Sequence, residues 1–151
     1  MIVKLLKNWD NKTWLSSTSY VNSFNTFLLK KKKLNRNSEI LDIGCGRGKI
    51  FGSLSRKIQL INKPIGIDSV AHNDVDRSLD FRNVDVFKFF KTTQNKFDLI
   101  MIKQTLHFFN KDKRLKLIKI CKNNLKKNGV LIVLSLNTLN NQIPCFKLMK
   151  Q

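Results

Sequence analysis

A glycine-rich turn that directly follows an apolar run constrains this chain more than any other feature. The run is Ile40 to Ile43, the turn is Gly44-Cys45-Gly46-Arg47-Gly48, and an amphipathic stretch from Lys49 to Ile58 comes next. Glycine tolerates positive φ and lets a ligand approach the backbone closely, and a helix N-terminus offers free N–H groups. Strand, glycine turn and helix in this order therefore predict a nucleotide-binding crossover unit.

The spacing of the glycines separates two classes of nucleotide site. A dinucleotide-binding turn requires the pattern Gly-x-Gly-x-x-Gly. In this chain Lys49 stands where the last glycine of that pattern would be, and Gly48 comes one residue earlier. The spacing therefore disfavours a nicotinamide dinucleotide as the ligand.

Length and composition favour one domain that does not enter a membrane. A chain of 151 residues with 42% hydrophobic residues can bury a core of its own. No apolar run approaches the roughly 20 residues of a membrane span, and Met1 to Lys7 is too short for a secretion signal. Cys45, Cys121 and Cys145 fit neither a disulfide framework nor a zinc site. We therefore expect a cytoplasmic protein without a bound metal.

The chain is strongly basic, with 29 Lys+Arg against 10 Asp+Glu and a formal net charge of +19. Such a charge suggests a polyanionic partner such as nucleic acid. The lysines are nevertheless spread along the chain, and only Lys30-Lys31-Lys32-Lys33 forms a dense run, where a predicted helix ends. Nucleic acid is therefore a possible but not a favoured partner, and any association should be weak and steeply dependent on salt.

Strands and helices are expected to alternate along the rest of the chain. The predicted strands cover 39–43, 64–68, 81–84, 97–102 and 130–136, and the predicted helices cover 18–33, 49–58, 86–90 and 111–126. Asn128-Gly129 supplies a stop signal for the last helix, whereas the polar stretch 71–80 is too short and acidic for a full helix. This alternation predicts an α/β fold, with a doubly wound and mostly parallel sheet covered on both faces.

The seven residues from Asp42 to Gly48, Asp-x-Gly-x-Gly-x-Gly at a strand end, resemble motif I of the Rossmann-like methyltransferases that use S-adenosylmethionine (SAM). The similarity extends from about Glu39 to Leu136. It implies SAM as the cofactor, the strand order 3-2-1-4-5, and a ligand at the carboxyl ends of the strands. The cofactor-binding residues that it implies are Asp42, Gly44, Cys45, Gly46, Gly48, Asp68, Ser69, Asp85, Val86 and Lys103.

Three acids at the ends of strands match acids of that family. Asp68 ends the second strand, where a carboxylate can accept both ribose hydroxyls. Asp85 follows the third strand and matches the acid that faces the adenine amino group, with Val84 or Val86 beside the ring; alternatively, it caps the helix that begins at Val86. Asp42 matches the acid near the methionine part of SAM, and the alternative is that it only braces the loop.

The second informative block follows the fourth predicted strand. It resembles the corresponding segment of small-molecule methyltransferases, which implies that Lys103 and Gln104 lie beside the transferred methyl group and that His107 could act as a base. The alternative for His107 is that it packs or caps the next helix. His72 lies in the polar stretch and is less favoured as a base. The Asn-Pro-Pro-Tyr signature of enzymes that methylate nucleic acids is absent from this position.

The two ends of the chain support the resemblance less well. Residues 1–38 are interpreted as an N-terminal arm and helix, and residues 39–151 as the SAM-binding domain. The resemblance implies that Trp14, Tyr20 and Phe24 form a lid over the substrate, although aromatic residues more often pack a helix onto a sheet. The family normally adds a β-hairpin after the fifth strand, and we expect this chain to lack it. The fifth strand would then be an exposed edge, and we expect the chain either to be a shortened version of a longer protein or to pair with another chain along this strand.

These features predict a SAM-dependent methyltransferase that acts on a small molecule. Two alternatives remain open. A truncated SAM-binding module without turnover is favoured by the short C-terminus, and a basic nucleic-acid methyltransferase is favoured by the charge alone. Methyl transfer from a sulfonium is an in-line displacement, so the protein mainly aligns the reactants and excludes water. The lack of a catalytic triad is therefore no objection to an enzyme.

Overall fold

The computed structural model describes residues 17–134, which form a five-stranded sheet flanked by helices. The elements in chain order are α1 (Thr18–Lys31), β1 (Ile40–Ile43), α2 (Lys49–Ile58), β2 (Ile65–Asp68), β3 (Asp80–Asn83), α3 (Val86–Thr92), β4 (Phe97–Lys103), a 3-10 turn (Leu106–Phe108), α4 (Lys111–Asn123) and β5 (Leu125–Leu134). Within this range no helix combines the length and the apolar character needed to cross a membrane.

The sheet has the order β3-β2-β1-β4-β5, and all four strand pairs are parallel. This confirms the predicted doubly wound fold and its strand order. β1 lies in the middle, with Asp42 opposite Gly66 of β2 and opposite Met101 of β4. Parallel strands end at the same edge of a sheet, so the segments that follow β1, β2 and β4 meet there.

Two apolar layers hold the helices against the two faces of the sheet. Leu41, Phe89 and Leu117 belong to the layer formed with α3 and α4. Ile40 and Phe51 belong to the layer formed with α1 and α2. Successive strand residues point to opposite faces, so neighbouring residues of β1 are buried in different layers. Each fully buried side chain of this size stabilises the fold by about 1.5–3 kcal/mol.

Helix α1 packs against α2 and contributes to the second layer. Leu28 of α1 is fully buried, and Asn25 Nδ2 donates a hydrogen bond to Ser53 Oγ of α2 at 3.1 Å. Tyr20 and Phe24 are partly buried against the same layer, with their ring centroids 5.7 Å apart. Trp14 lies outside the described residues. The lid role of residues 1–38 therefore stays a prediction.

The segment between β2 and β3 forms no helix, which confirms the prediction for the polar stretch 71–80. Two Arg–Asp contacts hold it in place. Arg56 binds Asp76 through two hydrogen bonds of 2.6 and 3.1 Å, and Arg47 Nε lies 2.7 Å from Asp74 Oδ1. Because Arg47 belongs to the glycine turn and Arg56 to α2, the crossover segment is fixed to both.

The end of α4 differs from the prediction. The helix ends at Asn123, and β5 begins two residues later, so a helix to residue 126 with a stop at Asn128-Gly129 is wrong. The N–H of Asn124 donates to carbonyls of the last helical turn at 3.0 and 3.1 Å, and its carbonyl accepts from Phe97 N–H at 2.9 Å. Asn128 adopts a φ of +66° inside β5, where the register with β4 shifts. Asparagine tolerates this conformation better than most residues.

Candidate functional site

The turn after β1 is fixed by backbone hydrogen bonds. Gly44, Gly46 and Gly48 have φ values of +70°, +53° and +66°, a region that residues with a Cβ rarely adopt. The N–H groups of Gly44 and Cys45 both donate to the carbonyl of Ile67 on β2, at 2.8 and 3.1 Å. The turn is therefore anchored to the neighbouring strand, and its open side remains accessible at the carboxyl edge of the sheet.

Gly44 also lies against the segment that follows β4. A Cβ at this position would come within 2.0 Å of Thr105 Oγ1. The Thr105 hydroxyl donates to the carbonyl of Lys103 at 3.0 Å and lies 3.4 Å from that of Ile43. This close approach joins the glycine turn to the segment that contains Lys103 and His107. Sequence reasoning missed Thr105, because a contact between two distant loops leaves no periodic pattern.

Asp68 connects the end of β2 to the glycine turn. Its Oδ2 accepts a hydrogen bond from Gly46 N–H at 2.9 Å, and its Oδ1 accepts one from Val70 N–H at 2.9 Å. The Asp68 carbonyl accepts from Asn83 Nδ2 at 2.9 Å, and His72 Nε2 lies 3.8 Å from Oδ2. A carboxylate offers about four acceptor sites, so Asp68 could still accept the hydroxyls of a ligand.

Asp42 is a buried carboxyl group on the central strand. The residue is 3% exposed, and its Oδ1 has no hydrogen-bond partner within residues 17–134. Burial raises the pKa of Asp42 to about 7; Lys103 opposes this rise, and Asp68 adds to it. A buried polar group without a partner costs free energy. A cationic or hydrogen-bonding ligand at this edge would remove that cost.

Asp85 caps helix α3. Its Oδ1 accepts hydrogen bonds from the N–H groups of Phe87 at 2.9 Å and Lys88 at 3.1 Å, which confirms the capping interpretation. Val86 is buried in the apolar layer beneath α3 and α4, whereas Ser69 is exposed directly after β2. Contact of these residues with an adenine ring stays a prediction.

The segment after β4 begins with a strained residue. Gln104 has a φ of +53°, unusual for a residue with a Cβ, and its N–H donates to the carbonyl of Leu134 at 2.7 Å. Such strain costs about 1–3 kcal/mol and is often found at functional sites. Lys103, Gln104 and Thr105 are all partly exposed at the carboxyl edge. The structure thus brings Lys103 and Gln104 close to the glycine turn.

His107 lies in the 3-10 turn that follows. Its ring centroid is 4.1 Å from that of Phe108, and Arg114 Nε donates to the carbonyl of Phe109 at 2.6 Å. Burial lowers the pKa of His107, and the guanidinium of Arg114 lowers it further. Asn110 is the N-cap of α4, so the alternative that His107 caps this helix is wrong.

An open groove of about 750 Å³ lies at the opposite edge of the sheet, near the amino ends of the strands. Glu39, Asp80 and Lys126 are among the residues that line it. Several of its charges are already paired: Lys126 Nζ lies 2.8 Å from Asp98 Oδ2, and Asp80 binds Arg82. No sequence-predicted site residue lines this groove. The candidate site is therefore the carboxyl edge, where the glycine turn, the acids and Lys103 converge.

Comparison with known protein families identifies the family to which this domain belongs. Residues 18–143 match the family model described as a methyltransferase domain. Because the match covers most of the chain, the chain belongs to this family of methyltransferase domains. A search among curated proteins gave no match.

Solved structures with the same fold include three methyltransferases. The plantazolicin methyltransferase BpumL in complex with SAH has a TM-score of 0.67 and 23% identity over 90% of this chain and 53% of its own. The sugar N-methyltransferase KedS8 from Streptoalloteichus sp ATCC 53650 has a TM-score of 0.62 and 14% identity, and the match covers 90% of this chain and 54% of that protein. A SAM-dependent methyltransferase from Geobacter sulfurreducens, in complex with S-adenosyl-L-homocysteine, has a TM-score of 0.61 and 12% identity, and the match covers 88% of this chain and 54% of that protein. This chain spans about half the length of these proteins, and at such identities the likeness shows the fold alone.

Proposed function

We propose that this member of the methyltransferase domain family binds SAM and transfers its methyl group to a small molecule. The observation that carries the proposal is the hydrogen bond between Asp68 and Gly46 N–H. It joins the acid that the family resemblance assigns to the ribose and the glycine turn that resembles motif I. Solved methyltransferases of the same fold contain SAH or S-adenosyl-L-homocysteine, which supports this choice of cofactor.

Each part of the cofactor has a suitable partner in the proposed complex. Asp68 accepts the two ribose hydroxyls, since hydrogen bonds to a charged acceptor are worth about 1.5–3 kcal/mol. The ammonium group of the methionine part lies near Asp42, whose buried Oδ1 lacks a partner within the described part of the chain. The backbone of Gly44, Cys45, Gly46 and Gly48 borders the methionine part, and Ser69, Asp85 and Val86 border the adenine.

The proposed reaction requires alignment more than acid–base chemistry. The acceptor atom forms its bond to the methyl carbon while the carbon–sulfur bond breaks, and the electron pair of that bond stays on sulfur. Lys103 and Gln104 border the methyl group and orient the acceptor. If the acceptor arrives protonated, His107 takes its proton. The lowered pKa of His107 supports this role, because it keeps the imidazole neutral at pH 7.

Two further proposals concern the surroundings of the enzyme. A cytoplasmic location is supported by the free thiol of Cys121, since a reducing compartment preserves thiols. Pairing with another chain along β5 is supported by the outer edge of this strand, which contacts no other strand within residues 17–134. An unpaired edge of this kind is a template for association.

Mass spectrometry of the purified native protein, followed by calorimetry with SAM and S-adenosylhomocysteine, tests the proposed cofactor. We expect one of these ligands to be retained and both to bind. Incubation with methyl-labelled SAM and a metabolite extract then separates an enzyme from a binding module, since only an enzyme labels a second molecule. Retention of a nicotinamide dinucleotide, or no binding of either ligand, would contradict the proposal.

A further inference from the structure

Acidic and basic residues lie on different sides of the carboxyl edge of the sheet. Acids lie in or shortly after three neighbouring strands, with Asp42 in β1, Asp68 at the end of β2 and Asp85 two residues after β3. The next strand in the sheet, β4, ends in Lys103 instead. Because the order is β3-β2-β1-β4-β5, all three acids lie on one side of the boundary between β1 and β4, and the lysine lies on the other.

The same division holds for the segments around these strands. Of the five acids in region 64–86, Asp74, Asp76 and Asp80 are paired with arginines, and Asp68 and Asp85 lie at the carboxyl edge. Region 103–116, from the end of β4 into the first turns of α4, contains one carboxylate, Asp112, and five cations: Lys103, Lys111, Lys113, Arg114 and Lys116. The proposed site therefore has acids on the side of β1 to β3 and mainly cations on the side of β4.

Two cations of the basic side lie close to the proposed point of transfer. Lys103 is near enough to Asp42 to lower the pKa of that carboxyl. Arg114 binds the backbone of the 3-10 turn through Phe109, and its guanidinium lowers the pKa of the neighbouring His107. Lys103 thus directly precedes the segment 104–109, and Arg114 contacts its last residue.

We propose that the methyl acceptor is a small molecule with an anionic group, a carboxylate or a phosphate, that binds between Lys103 and Arg114. This inference rests on the proposed function and names the substrate class of the same site. The cationic methyl donor binds on the acidic side, and the anionic acceptor binds on the basic side. Their mutual attraction then favours close approach, and exclusion of water strengthens it.

The nearest competing explanation is that these cations bind the carboxylate of the cofactor itself. The two explanations differ in what Arg114→Gln does to the cofactor. If Arg114 binds the acceptor, affinity for S-adenosylhomocysteine should stay within about threefold of the original value. If it binds the cofactor, that affinity should fall about tenfold or more. Lys57→Gln, an exposed change on α2, is the matched control for loss of one positive charge.

Binding of simple anions provides a direct test that needs no knowledge of the acceptor. Inorganic phosphate and acetate are titrated into the ¹⁵N-labelled protein saturated with S-adenosylhomocysteine. We expect amide shifts to concentrate in residues 104–109 and to disappear in Lys103→Gln but not in Lys57→Gln. Arg114→Lys should keep the response, and Arg114→Gln should weaken it. Shifts spread evenly over the lysine-rich surface, or centred elsewhere, would overturn the proposal.

A turnover experiment tests whether the methyl acceptor is an anionic small molecule. A metabolite extract is divided on a strong anion exchanger, and each fraction is incubated with methyl-labelled SAM. Label should enter the retained fraction, in molecules that pass an ultrafiltration membrane, and Lys103→Gln should reduce its rate about tenfold at low extract concentration. Label in the unretained fraction, or only in macromolecules such as nucleic acid, would overturn the proposal. Failure of S-adenosylhomocysteine to bind the unaltered protein would instead contradict the proposed function.

Discussion

The two sides of the carboxyl edge are held by different kinds of contact. Around β1 and β2 the contacts link separate strands: Gly44 N–H donates to Ile67, and Gly46 N–H donates to Asp68. After β4 they are mainly local, as in the contact of Arg114 with Phe109, and Phe108 is 76% exposed. The first side is preorganised, which suits a cofactor that is the same in every reaction. The second side is less constrained, which suits recognition of a particular acceptor.

A similar difference separates the strands themselves. All four residues of β1 are buried, whereas no residue of β5 is. The sheet is thus less buried at β5 than at its centre, and the proposed acceptor side lies next to the less buried part. Substitutions on the β1 and β2 side should therefore have large effects on stability or cofactor affinity. Substitutions toward β5 should have small effects on stability.

The largest effect is expected from Gly44→Ala, which disrupts the contact between the two sides. The new Cβ would overlap Thr105 Oγ1 at 2.0 Å, and a φ of +70° is strained for alanine. We expect the free energy of unfolding to fall by about 3–5 kcal/mol and cofactor binding to be lost. Urea unfolding and calorimetry measure both. The double variant Gly44→Ala with Thr105→Ala should recover part of the lost stability. If it recovers none, the loss does not come from the overlap with Thr105.

Asp42→Asn should separate stability from cofactor binding. The pKa of Asp42 in the fold is about 7, above its ordinary value of 3.8. Between these values the folded state keeps a proton that the unfolded chain has lost, so the free energy of unfolding falls as the pH rises. Asparagine has no proton to lose in this range, so the variant does not lose stability in this way as the pH rises. We therefore expect the variant to be more stable by about 2–4 kcal/mol above pH 7 and little changed near pH 4.

The same variant should lose affinity for the cofactor, because asparagine cannot balance the charge of an ammonium group. Urea unfolding at several pH values, with calorimetry on the same samples, measures the two effects. Asp112→Asn, an exposed change at the start of α4, is the control. If Asp42→Asn destabilised the empty protein above pH 7, the carboxylate would have a stabilising partner in its ionised form, and this explanation would fail.

Asp68→Ala tests the ribose assignment on the preorganised side. We expect the affinity for S-adenosylhomocysteine to fall by about 1.5–3 kcal/mol, roughly ten- to a hundredfold. Asp80→Ala is the matched control, since Asp80 lies on the adjacent strand and forms an exposed pair with Arg82 that should contribute little. Unchanged binding in calorimetry after Asp68→Ala would remove this residue from the site.

The comparison also explains how much the sequence could predict. The bounds of α2, Lys49–Ile58, agree with the prediction because the helical period and the preceding glycine turn are both local signals. The cap at Asp85 was among the predicted alternatives for the same reason. The predicted start of β5 was wrong, because Asn-Gly is a common helix stop but here forms a bulge inside a strand. Only pairing with β4 decides between these outcomes.

Contacts between distant segments of the chain were beyond sequence reasoning. Thr105 against Gly44, and Asp74 against Arg47, join segments that are far apart in the sequence and show no repeated pattern. The family resemblance supplied the strand order and the list of site residues, but not the burial of Asp42 or the positive φ of Gln104. Those features depend on how the loops pack at the carboxyl edge, which propensity and spacing do not encode.

The smallest effect on stability is expected at the far end of the sheet, from Val133→Lys in β5. Val133 is 37% exposed, so the free energy of unfolding should change by less than about 0.5 kcal/mol. If the outer edge of β5 pairs with another chain, a lysine there should abolish the association, because natural edge strands use lysine to block such pairing. Light scattering measures the size of both proteins, and amide exchange measures protection of the β5 N–H groups that point away from β4. We expect the unaltered protein to associate with those amides protected, and the variant to be monomeric with the same amides exchanging rapidly. A monomeric unaltered protein whose outer β5 amides are protected would show that the chain covers this edge itself, and pairing along β5 would be excluded.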